Sequence, residues 1–178
     1  MFIDPVAAWI SALVPAVILA GAACQKLTDL RALRALVKQY AILPRTWVTP
    51  VAFSLPYFEL ATAIAMVLPG TRRQASLTAL GLLVIFTLAI AINLRRGQTD
   101  LDCGCHFGGA RIPLSGALIV RNGLLTLWLV PVAGAAVGNR SLGWLDVLTI
   151  AVASLVGAMA YIMSAPLLLV RRQTAMAH

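Results

Sequence analysis

The sequence predicts an all-α integral membrane protein, a compact bundle of four or five transmembrane helices with one basic amphipathic helix at the membrane surface. Only 11% of the 178 residues are charged, whereas about 25% is usual in soluble globular proteins, and the mean hydropathy is +0.91. The apolar residues also form long runs. In lipid such runs must be helical, because every backbone polar group needs an internal partner.

Five apolar runs reach or approach the roughly 20 residues that a membrane-spanning helix requires. We predict a single domain over residues 1–178, with spans at residues 6–24, 51–68, 76–94, 114–137 and 145–170. The third run is the cleanest, whereas Pro56 and Glu59 interrupt the second and Arg121 and Pro131 interrupt the fourth. Four spans are therefore the alternative to five.

Residues 26–40 follow a different pattern, with leucine, alanine and valine recurring at helical spacing on one face. The basic residues on the other face are Lys26, Arg31, Arg34 and Lys38. This pattern is typical of an amphipathic helix in the headgroup region, and a solvated linker is the alternative. Lys26 is accordingly predicted to be an interfacial anchor.

The net charge of +8 indicates anchoring at a membrane surface, because most basic residues lie at the ends of apolar runs. We therefore predict the lipid bilayer as a partner and no nucleic acid. With five spans, ten basic residues lie in connections or in the C-terminal tail on one side of the membrane. Three lie on the other side, namely Arg72, Arg73 and Arg140. The positive-inside rule puts the ten in the cytoplasm and the N-terminus outside.

The alternation of the spans groups five side chains in one half of the bundle, whichever way it points. Span one ends, span two begins, span three ends and span four begins on the same side of the membrane. The residues that this brings to one half are Cys24, Glu59, Cys103, Cys105 and Arg121.

The pair Cys103-Gly104-Cys105 is the main candidate for chemistry. A disulfide needs Cα atoms about 4.4–6.8 Å apart, which residues two positions apart achieve only in a bent backbone. Gly104 permits that bend, and strained disulfides are more oxidising. We predict that Cys103 and Cys105 form a redox pair capable of thiol–disulfide exchange, and two inert cysteines are the alternative.

The same loop offers His106 beside the two cysteines, a set that suits a soft metal. Structural zinc sites, however, prefer four ligands at wider spacing, and no second cysteine pair is present. We therefore predict no metal site. The sequence predicts no particular cofactor, and quinone binding is left as an open alternative.

Three further residues are candidates because of their place in the spans. Cys24 is either a third thiol that relays the disulfide or a small apolar residue at a helix end. Glu59 and Arg121 are ionisable groups at similar depth, so an ion pair between them is predicted. That pair either fixes helix packing or sets the polarity beneath the cysteine loop, and Asn122 adds hydrogen bonds across helices.

Several features taken in order resemble the MauE family of methylamine utilisation membrane proteins, which are related to DoxX-like membrane proteins. The features are Gly21, Lys26-Leu27-Thr28-Asp29, Glu59, Asn93-Leu94-Arg95-Arg96-Gly97, Asp102-Cys103-Gly104-Cys105 and Arg121-Asn122. The resemblance covers residues 6–170, and His106 before Phe107 departs from the family's usual loop.

The resemblance implies a multi-pass accessory protein of the bacterial inner membrane. Its implied task is to help the disulfide-rich small subunit of methylamine dehydrogenase form disulfides, mature or be exported. A general thiol-redox partner of a thioredoxin-like protein is a further implied role. A non-catalytic assembly scaffold or chaperone, and a metal or solute carrier, are the competing functions. A periplasmic client requires the cysteine loop outside, whereas the basic residues place it inside.

Overall fold

The computed structural model of this chain describes residues 2–102, 113–134, 136–138 and 140–176, with the backbone alone for residues 2, 136 and 165–176. Eight elements follow in chain order. They are β1 (Phe2–Ile3), α1 (Pro5–Thr28), α2 (Leu30–Tyr40), α3 (Arg45–Val67), α4 (Arg72–Arg95), α5 (Gly116–Gly134), β2 (Ala136–Val137) and α6 (Trp144–Met176). The two short strands form one parallel pair, in which Phe2 faces Ala136 and Ile3 faces Val137.

The predicted all-α membrane class is confirmed. Five helices of the described chain are long and apolar enough to cross a bilayer. They are Pro5–Thr28, Arg45–Val67, Arg72–Arg95, Gly116–Gly134 and Trp144–Ser164. The amphipathic helix is present as α2, with Leu33 buried and Arg31, Arg34 and Lys38 exposed.

Two predicted boundaries differ from the structure for local reasons. Helix α1 continues four residues beyond position 24, to Thr28, because Asp29 is the first residue to leave helical geometry. The Asp29 side chain accepts a hydrogen bond from the Ala32 amide at 2.9 Å and so begins α2. Helix α5 ends at Gly134 rather than 137, because residues 136–137 pair with β1.

Helix α1 lies at the centre and packs against α3, α5 and α6, while α4 packs against α3 and α5. Small residues line these contacts, as expected where helices approach closely in lipid. Examples are the buried Ala12, Ala16, Ala63, Ala75 and Ala79. The large apolar side chains instead cover the outer surface, as Leu127, Ile85 and Val120 do.

The pairing of α4 with α5 fixes the depth of the charged residues. Ile90 packs with Leu118, and one level deeper Leu83 packs with Leu125, so the two helices are antiparallel. In this register Arg121 of α5 lies level with the turn of α4 next to Phe86.

Gly157 of α6 provides a test of the packing of α6 on α1. A Cβ atom at Gly157 would lie 2.9 Å from Cγ2 of Val14, which is buried. Gly157→Ala is expected to destabilise the protein by about 1–3 kcal/mol, as overpacking does. Thermal unfolding in detergent measures the effect.

The control is Gly123→Ala, because no atom lies within 4 Å of the Cβ position there. This variant is expected to be neutral or slightly stabilised. Adding Val14→Ala to Gly157→Ala is expected to restore much of the lost stability. An unchanged melting temperature in Gly157→Ala alone would contradict the close approach of α1 and α6.

Candidate functional site

A buried ion pair joins Nζ of Lys26 and Oε1 of Glu59 inside the bundle. The two side chains are 6% and 0% exposed. Lys26 lies in the last turn of α1 and Glu59 lies within α3, against which α1 packs. The pair therefore links the two helices from within the protein.

The sequence predictions for these two residues were wrong. Glu59 pairs with Lys26 rather than with Arg121, and Lys26 is buried rather than anchored in the headgroups. The physical reason is the extension of α1 to Thr28, which keeps Lys26 helical and directs its side chain into the bundle. An isolated charge at this depth is costly, so each residue requires the other.

The surroundings of the pair are apolar. Nζ of Lys26 also lies 4.9 Å from the centroid of the Phe86 ring, a cation–π contact. The second carboxylate oxygen of Glu59, Oε2, is buried and has no hydrogen-bond partner among the described residues. Lys26 lines an apolar cavity of about 240 Å³ between α2, α3 and α4, and Tyr40 lines it as well.

Arg121 is stabilised in another way. Its guanidinium lies 4.6 Å from the centroid of the Tyr161 ring of α6, and the residue is 7% exposed. Nε and Nη2 of Arg121 have no hydrogen-bond partner in the described part of the chain. The neighbouring Asn122 is also buried. The structure thus brings Arg121 to the same level as Lys26 and Glu59 without an ion pair to either carboxylate oxygen.

The cysteine segment is defined by the residues at its base. Cys103, Cys105 and His106 lie outside the described residues. Asp102 and Pro113 form an antiparallel bridge, and the Leu114 amide donates to the Leu101 carbonyl at 3.1 Å. The two ends of the ten-residue segment 103–112 therefore lie side by side at this bridge.

One side chain of α2 bonds to this base, and one that directly follows α4 bonds to the end of α2. The Tyr40 hydroxyl donates to the Asp102 carbonyl at 3.1 Å. Arg96 donates to the carbonyls of Tyr40 and Ala41 at 3.3 and 3.2 Å. Sequence reasoning missed both residues, because a tyrosine and an arginine at helix ends resemble ordinary interfacial anchors.

Cys24 lies on the outer surface of α1 with a free thiol. It precedes the buried Lys26 by two residues, or about 200° of helical rotation, so the two side chains face opposite directions. Among the described residues, no three metal-binding side chains come together.

Removing one partner of the buried ion pair tests its role. Lys26→Met or Glu59→Leu is expected to destabilise the protein by about 3–5 kcal/mol, because the remaining charge is left buried without a partner. The double variant is expected to recover most of this loss. Unfolding of the purified protein in detergent measures all three.

Lys38→Met is the matched control, because Lys38 is an exposed lysine of α2. It is expected to change stability by no more than about 0.5 kcal/mol. Equal effects of Lys26→Met and Lys38→Met would show that Lys26 is a surface residue.

Comparison with known proteins identifies the family to which this chain belongs. The family described as Methylamine utilisation protein MauE matches residues 4–138. A Methylamine utilization protein MauE of Methylorubrum extorquens is 39% identical over 125 residues, which is 67% of this chain and 67% of the relative.

Two relatives of the same name come from Paracoccus. That of Paracoccus denitrificans is 34% identical over 74% of this chain and 70% of its own. That of Paracoccus versutus is 34% identical over 82% of this chain and 78% of its own. No solved structure matches the chain significantly. The family match spans most of the chain, including α1 to α5 and the cysteine segment, and the chain therefore belongs to the MauE family of methylamine utilisation proteins.

Proposed function

We propose that this protein is an accessory protein of the bacterial inner membrane that supports methylamine utilisation by thiol–disulfide exchange through Cys103 and Cys105. The client is the disulfide-rich small subunit of methylamine dehydrogenase, with a thioredoxin-like protein as redox partner. Family membership and the five membrane spans support the setting. The paired cysteines support the chemistry.

The observation that carries the proposal is the bridge between Asp102 and Pro113. It closes a ten-residue segment that contains both cysteines at the end of the bundle. Tyr40 attaches the base of this segment to α2, and Arg96, directly after α4, donates to the Tyr40 carbonyl at the end of α2. Such an attachment suits a thiol-exchange site, because it holds both ends of the segment at a fixed place.

The electrons of the proposed thiol–disulfide exchange balance without a bound cofactor. A client thiolate attacks the Cys103–Cys105 disulfide, forms a mixed disulfide and releases one cysteine as a thiolate. A second client thiolate then attacks the mixed disulfide. The client gains one disulfide, and the Cys103–Cys105 pair receives two electrons and becomes a dithiol. A disulfide of the thioredoxin-like partner reoxidises the dithiol by the reverse sequence.

Serine substitutions test the redox role. Cys103→Ser and Cys105→Ser are each expected to abolish growth on methylamine, because neither variant can hold the disulfide. One of them is expected to trap a mixed disulfide with the client or the partner, visible as a reducible adduct on a non-reducing gel.

Cys24→Ser is the matched control, because it removes a thiol on the outer surface of α1. It is expected to support normal growth. Full growth of both Cys103→Ser and Cys105→Ser would reject thiol exchange and leave an assembly scaffold as the function. Loss of growth in Cys24→Ser would instead make Cys24 part of the relay.

Thiol labelling tests the choice of client. A periplasmic client requires that a membrane-impermeant maleimide label Cys103 and Cys105 in intact, reduced cells of a Cys24→Ser strain. Labelling that occurs only after the membrane is permeabilised would place the pair in the cytoplasm, as the basic connections indicate. It would exclude direct exchange with a periplasmic subunit.

A further inference from the structure

A second charged region lies at the opposite end of the bundle from the cysteine segment, where α4 begins. Arg72 and Arg73 occupy the first turn of α4, and that turn contains no acidic residue. The N-terminus of a helix carries partial positive charge, which disfavours two cations there. The two arginines thus concentrate positive charge that the protein does not offset locally.

The amides of this turn also lack a cap. Thr71 at the N-cap position makes no side-chain hydrogen bond to them. Its hydroxyl donates instead to the Ala65 carbonyl of α3 at 2.8 Å. The first amides of a helix have no partner within the helix, so they stay available to an acceptor from outside.

Arg72 supplies the independent observation. The residue is only 5% exposed, and its guanidinium carbon lies 3.6 Å from the centroid of the Trp9 ring. Nε donates to the Met66 carbonyl at 3.4 Å, whereas Nη2 is buried and has no hydrogen-bond partner among the described residues. A buried guanidinium nitrogen without a partner indicates a missing acceptor.

Neither Arg72 nor Arg73 has a carboxylate partner in the described part of the chain. Arg73 donates through Nε to the Ala133 carbonyl at 3.3 Å. The nearby Arg140 is matched by Asp4 at 3.4 Å and by Asp146 at 3.2 Å. Because Asp4 and Asp146 pair with Arg140, neither carboxylate compensates the charges of Arg72 and Arg73.

All three arginines line a cavity of about 430 Å³, which lies within the range of about 300–1,000 Å³ typical of ligand sites. Its other walls are apolar and include Trp9 and Val132. The site therefore suits a ligand that has an anionic group beside an apolar part.

We propose that this cavity binds the phosphate of an anionic phospholipid, held by Arg72, Arg73 and the first amides of α4. Arginine and helix N-termini are both suited to phosphate oxygens. A free phosphate offers the same anionic group, but the lipid is the source we favour. Arg72 is the first residue of a membrane span, at the level of the headgroups, and the apolar walls match the glycerol and acyl region.

Native mass spectrometry of the full chain tests the proposal, with micelles containing equal amounts of phosphatidylglycerol and phosphatidylcholine. The protein is expected to retain phosphatidylglycerol preferentially. Arg73→Gln is expected to weaken this binding about tenfold, because a charge-assisted contact is lost. Arg73→Lys, which keeps the charge, is expected to bind between the two.

Arg73 is the main test position because its side chain is exposed, so its substitution leaves the fold intact. Arg72→Gln is the second variant and tests the buried position. Arg45→Gln, at the exposed start of α3, is the matched control and is expected to bind like the parent protein. Equal retention of both lipids, or equal binding by Arg73→Gln and Arg45→Gln, would overturn the site.

A measurement with inorganic phosphate distinguishes the two possible ligands, an anionic phospholipid and free phosphate. Phosphate alone at millimolar concentration is expected to leave the melting temperature unchanged, whereas phosphatidylglycerol raises it. If phosphate alone raises the melting temperature and the lipid adds nothing, the site belongs to a free anion and the lipid proposal fails.

Discussion

The buried ion pair between Lys26 and Glu59 determines how the first half of the protein is arranged. Glu59 lies 14 residues after the start of α3, roughly 21 Å along the helix, while Lys26 lies two residues before the end of α1. Because the two charges must meet, the first half of α3 extends beyond α1. Helix α2 begins directly after α1 and packs against this extension. The apolar cavity lined by Lys26 and the base of the cysteine segment both depend on this packing of α2 against α3.

The buried cations of this bundle differ in what balances them. Lys26 is neutralised by a carboxylate, and Arg121 rests on an aromatic ring. Arg72 also rests on a ring, but it shares a helix N-terminus with a second arginine and has no carboxylate among the described residues. Arg121 also keeps Nε and Nη2 without a hydrogen-bond partner among the described residues, so an unpaired nitrogen alone does not set Arg72 apart. Arg72 lies beside a second arginine at an uncapped helix N-terminus. This difference distinguishes a structural charge from one that suits an external anion.

The spans were predictable because the bilayer sets a length and composition that each run must meet, and all five are present as helices. Composition does not determine which way a side chain points. Depth measured from Val51 placed Glu59 level with Arg121, but the Glu59 carboxylate pairs with Lys26 of α1 instead. Lys26 was assigned to the surface because the end of α1 depends on the Asp29 cap rather than on hydropathy. Arg72 and Arg73 were counted only as interfacial charge, since neither the Trp9 contact nor the unpaired Nη2 leaves a local sequence pattern.

The bridge between Asp102 and Pro113 has a consequence for which changes of sequence this protein can accept. Since the two residues pair directly, the chain that leaves α4 and the chain that enters α5 are held side by side at the base of the segment 103–112. Adding residues to a closed loop costs little, because the closure entropy grows only slowly with loop length. The segment can therefore change in length and composition while the helices keep their register. The sequence of this segment and the packing of the membrane helices can evolve separately in one short chain.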